Sequence, residues 1–287
     1  MPPDLARRFV DTEAGAFGYE TQGPDDGELV VCAHGFPDHA PTFRGLGRRL
    51  AAEGFRVVAP WLRGYHPSTL AGPFDSRRVG ADLTAIVDAL SPSRPAVLVG
   101  HDWGAVAAYD ALASRPRRYR KAVILSVPHP VVFARALVTS PAQLRRSWYM
   151  AFLNLPGVSD RVVAARDFAF VDRLWRTWSP GLKPEPASMR ELKECLARSM
   201  PAPLLYYRAL AKTAAARLRE RMPKIDVPTL YMHGVDDGCI GPAVAAGQER
   251  FFSAPLRSVR VERAGHFLHL EAPERVEGEI AQYLIER

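Results

Sequence analysis

The stretch Ala96-Val97-Leu98-Val99-Gly100-His101-Asp102-Trp103-Gly104 decides the fold of this 287-residue chain. Its apolar first half predicts a buried strand, and the two glycines around Asp102 predict a sharp turn into a helix. Glycine suits both positions because strand and helix pass closely and the central backbone is strained. The helix beginning near Trp103 would direct amide groups toward the Asp102 carboxylate and favour its ionised form. An aspartate that merely caps this helix is the alternative.

A carboxylate at such a turn indicates displacement at an alkyl carbon. Serine, the usual occupant, attacks acyl groups, whereas attack of a carboxylate on an ester would give only a reactive anhydride. Epoxide opening and carbon–halogen cleavage are therefore the reactions that suit Asp102.

Composition indicates a globular protein with ample core, since 47% of the residues are hydrophobic. No stretch resembles a membrane span or a secretory signal. The cysteines Cys32, Cys195 and Cys239 contain no C-x-x-C pair, which favours a cytoplasmic location over a disulfide framework or thiolate metal site. The net charge of +7 comes from arginines dispersed among acidic residues, so we expect neither a nucleic-acid nor a membrane partner.

Short apolar runs alternate with helical segments on both sides of one long interruption, which is typical of a mostly parallel sheet covered on both faces. The alternation stops at Pro128-His129-Pro130, and the following residues predict consecutive helices broken by proline and glycine. The sequence therefore predicts an α/β core formed by residues 1–129 and 223–287, with a helical cap inserted at residues 130–222.

The expected strands of this core number eight. They are Arg8–Asp11, Ala16–Thr21, Leu29–His34, Arg56–Pro60, Ala96–Gly100, Ala122–Val127, Val227–His233 and Leu256–Val261. The expected core helices are Thr42–Glu53, Arg78–Leu90, Trp103–Ser114, Pro242–Phe252 and one from Pro273.

On these motifs the chain resembles the epoxide hydrolases of the α/β-hydrolase fold, relatives of the haloalkane dehalogenases, over essentially its whole length. The resemblance implies an eight-stranded, mostly parallel sheet with an inserted helical cap, and the chain order nucleophile, acid, histidine. Asp102 is the implied nucleophile. Gly234-Val235-Asp236-Asp237 resembles the turn that carries the acid, which implies Asp237 and leaves the adjacent Asp236 open.

The implied base is His266, because Gly265-His266-Phe267 resembles the segment that carries the family histidine. It would activate water, with the acid orienting its ring. His34-Gly35-Phe36-Pro37 resembles the H-G-x-P motif, which implies an oxyanion hole from the backbone amides of Phe36 and Trp103. In relatives the peptide before this proline is cis, so Phe36–Pro37 is a candidate cis bond.

Two cap segments resemble those that carry the tyrosines of the family. Tyr149-Met150-Ala151 implies Tyr149, and Tyr206-Tyr207-Arg208 implies Tyr207, as proton donors to the opening epoxide. Trp148 or Tyr206 is the alternative if the register slips by one residue. Substrate contacts are then implied for the following four side chains: Phe36, Trp103, Tyr149 and Tyr207.

The resemblance implies hydrolysis of an apolar epoxide to a vicinal diol through an ester on Asp102. Haloalkane dehalogenation by the same nucleophile is the alternative, since Trp103 is shared with those enzymes, and a non-catalytic ligand-binding protein is the third. No metal or organic cofactor is implied, because the Walker and dinucleotide motifs are absent and His266 with His269 lacks a third ligand in a recognised spacing. A homodimer is compatible with the sequence.

Overall fold

A single eight-stranded sheet forms the centre of the computed structural model, which describes residues 7–219 and 222–286. Its strands are β1 Arg7–Thr12, β2 Gly15–Gln22, β3 Leu29–Ala33, β4 Arg56–Pro60, β5 Ala96–His101, β6 Tyr119–Leu125, β7 Thr229–Gly234 and β8 Leu256–Val261. The spatial order is β1-β2-β4-β3-β5-β6-β7-β8. Only β1–β2 and β2–β4 pair antiparallel. The predicted mostly parallel sheet is confirmed.

Eleven α-helices accompany the sheet within the described ranges. They are α1 Arg44–Ala51, α2 Ser76–Leu90, α3 Trp103–Ser114, α4 Pro130–Thr139, α5 Pro141–Arg146, α6 Trp148–Leu153, α7 Val158–Trp178, α8 Pro186–Ser199, α9 Leu205–Arg219, α10 Leu268–Glu271 and α11 Pro273–Ile285. Helix α7 is interrupted at residues 165–168, where the backbone leaves helical geometry.

The single helix predicted at Pro242–Phe252 is wrong. The structure has two short 3₁₀ helices there, Pro242–Ala245 and Gln248–Phe251. Ala246 between them is extended and Gly247 has a φ of 78°, so the backbone cannot continue as one helix.

Strand β3 is apolar along its whole length, and β5 is apolar as far as His101, because helices cover both faces of the sheet. Every residue of β3 and of β5 is buried. Helix α3 is rich in alanine and packs closely on α2, where a Cβ at Gly80 would lie 2.7 Å from the Ala107 carbonyl oxygen. Small residues at this contact bring α2 and α3 close together.

The described residues between β6 and β7 form helices α4–α9 and contain no strand. This segment lies over the loops at the carboxyl ends of β3 and β4. The Trp175 indole donates a hydrogen bond of 2.8 Å to the Pro37 carbonyl, and the Tyr206 hydroxyl donates one of 2.6 Å to the Arg63 carbonyl. The predicted cap boundary at residue 222 adjoins residues 220 and 221, which lie outside the described residues.

Two further findings concern membrane-spanning helices and the cysteines. None of the helices in the described ranges is both long and apolar enough to cross a membrane. Cys32, Cys195 and Cys239 are all buried and unpaired, so these described cysteines form no disulfide.

Candidate active site

Asp102 lies on a strained turn between β5 and α3, with φ of 49° and ψ of −119°. A Cβ at Gly104 would lie 2.0 Å from the Ala33 carbonyl oxygen, and one at Gly100 would lie 2.7 Å from the Gly104 carbonyl oxygen. Glycine is therefore needed on both sides of the turn. The Asp102 carboxylate accepts no capping hydrogen bond from the first turn of α3, which speaks against the capping alternative.

The two carboxylate oxygens of Asp102 face different partners. Oδ1 accepts a hydrogen bond of 2.7 Å from the Phe36 amide. Oδ2 lies 3.5 Å from Nε2 of His266. A Cβ at Gly35 would lie 2.2 Å from Oδ1 and 2.5 Å from the Trp103 nitrogen, so only glycine leaves this corner open. One oxygen is thus anchored at the Phe36 amide, while the other points toward the histidine.

The Phe36–Pro37 peptide bond is cis, as the resemblance implied. It lies in the loop after β3, and the Asp38 amide donates a hydrogen bond of 3.2 Å to the Gly35 carbonyl in the same turn. The Phe36 side chain is buried, and its ring lies 5.7 Å from that of Tyr207. The loop therefore supplies both an amide and an apolar wall to the space beside Asp102.

His266 and Asp237 form a buried pair beside Asp102. Nδ1 of His266 lies 2.9 Å from Oδ2 of Asp237, and the other oxygen of Asp237 accepts hydrogen bonds of 2.7 and 2.8 Å from the amides of Cys239 and Ile240. Asp236 is exposed. The structure thus places Asp237, and not Asp236, against the histidine.

Opposite charges shift the pKa values of this pair. Burial lowers the pKa of His266, but Asp237 and Asp102 outweigh it and raise that pKa to about 10. Burial raises the pKa of Asp237, but His266 and His233 outweigh it and hold that pKa well below its usual range. Because the Asp102 charge contributes to the raised pKa of His266, neutralising Asp102 would lower it.

Tyr149 and Tyr207 lie over this group and face each other, with ring centroids 5.7 Å apart. The Tyr149 hydroxyl lies 3.3 Å from the sulfur of Cys239. The Tyr207 ring is 5.0 Å from the Trp103 ring, and its buried hydroxyl has no hydrogen-bond partner among the described residues. Burial raises the pKa of both phenols well above the ordinary value, so both remain protonated donors.

Trp148 and Tyr206, the alternatives to Tyr149 and Tyr207, lie in different surroundings. Trp148 is 44% exposed, with Arg173 over its ring. The Tyr206 hydroxyl is engaged by the Arg63 carbonyl. Tyr149 and Tyr207 are therefore the two cap tyrosines whose hydroxyls lie near the Asp102 group.

Two further residues lie near the site. Cys239 lies between Tyr149 and Asp237, and burial raises the pKa of its thiol well above the ordinary value, which keeps it protonated. The Trp178 ring lies 4.8 Å from the Tyr149 ring and 5.2 Å from the His266 ring. The sequence signal for Cys239 is its position two residues after Asp237, and that for Trp178 is its place as a tryptophan of the cap.

Three side chains of types that can bind a metal ion lie close together in this site. Asp237, Cys239 and His266 offer ligand atoms within 4.8 Å of one another. Their atoms are, however, already used: Asp237 binds His266 and two amides, and Cys239 lies against Tyr149. These atoms therefore already belong to the histidine–carboxylate pair and its immediate surroundings.

Comparison with known proteins gives a consistent result. A protein-family model described as "Alpha/beta hydrolase family" matches residues 30–279. The chain is 28% identical to "AB hydrolase superfamily protein YfhM" of Bacillus subtilis, over 96% of this chain and 97% of that protein. It is also 28% identical to "Epoxide hydrolase A" of Mycobacterium tuberculosis, over 96% of each chain.

A solved structure described as "Novel epoxide hydrolases belonging to the alpha/beta hydrolases superfamily in metagenomes from hot environments" superposes with a TM-score of 0.87. Its identity is 26%, covering 99% of this chain and 100% of that chain. The chain therefore belongs to the alpha/beta hydrolase family. Its resemblance to the epoxide hydrolases of that family is confirmed.

Proposed function

We propose that this protein hydrolyses an epoxide to a vicinal diol through a covalent ester on Asp102. The observation that carries the proposal is the placement of two buried phenols, Tyr149 and Tyr207, above a carboxylate at the strained turn. An epoxide needs a proton donor because its oxygen leaves as an alkoxide, and a halide does not. The relatives named as epoxide hydrolases give independent support.

In the first half-reaction, Oδ2 of Asp102 attacks one epoxide carbon, and the bond between that carbon and the ring oxygen breaks. The ring oxygen takes a proton from Tyr149 or Tyr207. Oδ1 stays at the amide of Phe36, which holds the nucleophile in one orientation. The product is a neutral hydroxyalkyl ester of Asp102.

The second half-reaction depends on the loss of the negative charge of Asp102 when the ester forms. Loss of the Asp102 charge lowers the pKa of His266, so its proton can restore the tyrosine and its nitrogen can act as a base. His266 then takes a proton from water as the water oxygen attacks the ester carbon. The bond between that carbon and the diol oxygen breaks, and the diol oxygen takes the remaining proton of the added water, which returns Asp102 to its carboxylate and leaves His266 protonated. The amides of Phe36 and Trp103 would stabilise the resulting oxyanion, while Asp237 orients the imidazole.

We also propose that residues 130–222 act as a cap that closes the substrate pocket and supplies the two tyrosines. The buried aromatic rings near Asp102 favour an apolar substrate of moderate size. Haloalkane dehalogenation by the same Asp102 is the competing reaction, and a protein that binds but does not turn over such ligands is the remaining alternative. We expect no metal or organic cofactor in any of these reactions.

The mass of the covalent protein adduct distinguishes epoxide hydrolysis from dehalogenation. His266→Gln, incubated with styrene-type, terminal and trans-disubstituted epoxides, should accumulate protein carrying one whole epoxide, mapped to Asp102. A bromoalkane adduct would lack the halogen, so the same measurement reports dehalogenation. Asp102→Ala is the matched control and should form no adduct. Halide release by the wild-type enzyme without diol formation from any epoxide would overturn the proposal in favour of dehalogenation.

A further inference from the structure

A second buried polar cluster lies beside His266. It consists of Asp38, His101 and His269, which are 2%, 0% and 3% exposed. The His101 ring lies between the other two histidines, 4.8 Å from the ring of His266 and 4.8 Å from that of His269. The catalytic steps proposed above use none of these three side chains.

Each member of this cluster has one polar atom engaged. Oδ1 of Asp38 accepts a hydrogen bond of 2.8 Å from the His39 amide. Nε2 of His101 lies 2.9 Å from the His266 carbonyl oxygen, and Nε2 of His269 lies 2.7 Å from the Thr42 hydroxyl.

Each member also has one polar atom without a hydrogen-bond partner among the described residues. These atoms are Oδ2 of Asp38, Nδ1 of His101 and Nδ1 of His269. Ligand atoms of the three side chains lie within 4.8 Å of one another. Three buried polar atoms without a partner in so close a group of side chains are costly unless a bound molecule pairs with them.

The donor and acceptor roles of these atoms define which hydrogen-bonding groups the bound molecule must have. A carbonyl oxygen only accepts, so Nε2 of His101 must carry the hydrogen toward His266, which makes Nδ1 of the neutral ring an acceptor. The Asp38 carboxylate is also an acceptor. Two acceptors cannot bond each other, and the bound molecule must therefore donate to both.

We infer that Asp38, His101 and His269 bind one buried water molecule. Its two hydrogens go to Oδ2 of Asp38 and Nδ1 of His101, and its oxygen accepts the Nδ1 hydrogen of His269. The Thr42 hydroxyl then donates to Nε2 of His269, so every polar atom of the cluster is paired. A spacing within 4.8 Å accommodates a bound molecule about 2.8 Å from each atom.

The consequence for catalysis rests on the proposed function. The water fixes the tautomer and orientation of His101, which together with the Ser126 hydroxyl holds the His266 carbonyl oxygen. Asp38 is therefore a positioning residue for the base of the second half-reaction. It has no corresponding role in the first half-reaction, which needs Asp102 and the tyrosines.

A high-resolution crystal structure of the wild-type protein, together with its metal content, tests the site whatever the enzyme's reaction. We expect density for one water about 2.7–3.0 Å from all three atoms and no stoichiometric metal. An empty site would overturn the inference. So would a bound cation with ligand distances of about 2.1 Å, since the same three side chains could then act as ligands through their lone pairs.

Kinetics test the positioning role. Asp38→Asn should slow hydrolysis of the Asp102 ester by about 10-fold in single turnovers, while the rate of ester formation changes less than about 2-fold. The exposed Asp236→Asn is the matched control and should leave both rates unchanged. Equal losses in both steps, or none, would contradict the role. A wild-type enzyme inactive on every epoxide would overturn the proposed function and leave the crystallographic result standing.

Discussion

The hydroxyl of Tyr149 lies 3.3 Å from the sulfur of Cys239, whereas the hydroxyl of Tyr207 has no partner among the described residues. Sulfur is a weak hydrogen-bond acceptor. The Tyr149 hydroxyl is thus held in place by a contact that a developing alkoxide would easily replace. Both phenols can therefore turn toward a substrate oxygen at small cost.

Tyr149→Phe and Tyr207→Phe should each slow epoxide opening by about 10-fold or more, because each removes one of two donors to the alkoxide. Hydrolysis of an ester already formed on Asp102 should change far less. Stopped-flow measurement of ester formation separates the two steps.

Tyr206→Phe provides the matched control for these variants. Its hydroxyl binds the Arg63 carbonyl, so we expect lower stability with a nearly normal rate of ring opening. If both catalytic variants opened epoxides at the wild-type rate, Tyr149 and Tyr207 would be packing residues.

Gly35→Ala should lower the turnover rate by about 100-fold or more, because its Cβ would lie 2.2 Å from Oδ1 of Asp102 and 2.5 Å from the Trp103 nitrogen. Gly278→Ala is the control, since nothing lies within 4 Å of its Cβ, and alanine favours its helix α11. Steady-state assays with circular dichroism test both. An active Gly35→Ala enzyme would refute the proposed oxyanion geometry.

Asp237→Asn should accumulate the Asp102 ester, more weakly than His266→Gln, because the imidazole remains but loses its orienting charge. The pKa of His266 should also fall, since Asp237 contributes to raising it. NMR titration of the imidazole measures that shift directly. Asp236→Asn should change neither quantity, and an effect there equal to that of Asp237→Asn would contradict the assignment of the acid.

The pH dependence of stability follows from the raised pKa of His266. Its stabilising charge is fully present below the ordinary pKa of 6.5 and is lost as the pH rises through about 10. The difference in free energy of unfolding between wild type and His266→Gln should therefore be larger near about pH 6 than near about pH 10.5. Urea denaturation at both pH values measures it. A difference that does not shrink would mean that the imidazole is neutral throughout.

The contribution of Asp237 to the pH dependence of stability has the opposite sign to that of His266. Its lowered pKa stabilises the folded protein above the ordinary carboxyl pKa of 3.8, and this contribution is lost as the pH falls below that value. Stability of the wild type should thus decline more steeply in acid than that of Asp237→Asn. Thermal unfolding from about pH 6 to about pH 3 measures the two slopes, and parallel curves would contradict the prediction.

The central parallel strands β3 and β5 were predictable from sequence because buried parallel strands are continuous apolar runs. The segment Pro242–Phe252 was not, because its composition suits a helix while Gly247 takes a left-handed backbone conformation that no pattern required.

The sequence implied that Asp102, Asp237 and His266 lie together because each stands in a short motif that resembles one of the family, and the structure brings the three side chains close to one another. The Asp38–His101–His269 cluster could not be predicted, since its members come from the loop after β3, the end of β5 and helix α10, which only the folded chain brings together. Cys239 is similar, because a lone cysteine carries no local signal of its distance from Tyr149.

The unequal environments of the two Asp102 oxygens leave an isotopic record of catalysis. In the proposed mechanism, each ester hydrolysis would replace the oxygen that faces His266 with one from water, while the oxygen held by the Phe36 amide would take no part. If the carboxylate does not rotate between turnovers, an enzyme cycled many times in heavy-oxygen water should gain one heavy atom at Asp102 and no second. The side chain would then have one permanent oxygen and one renewed from solvent in every cycle.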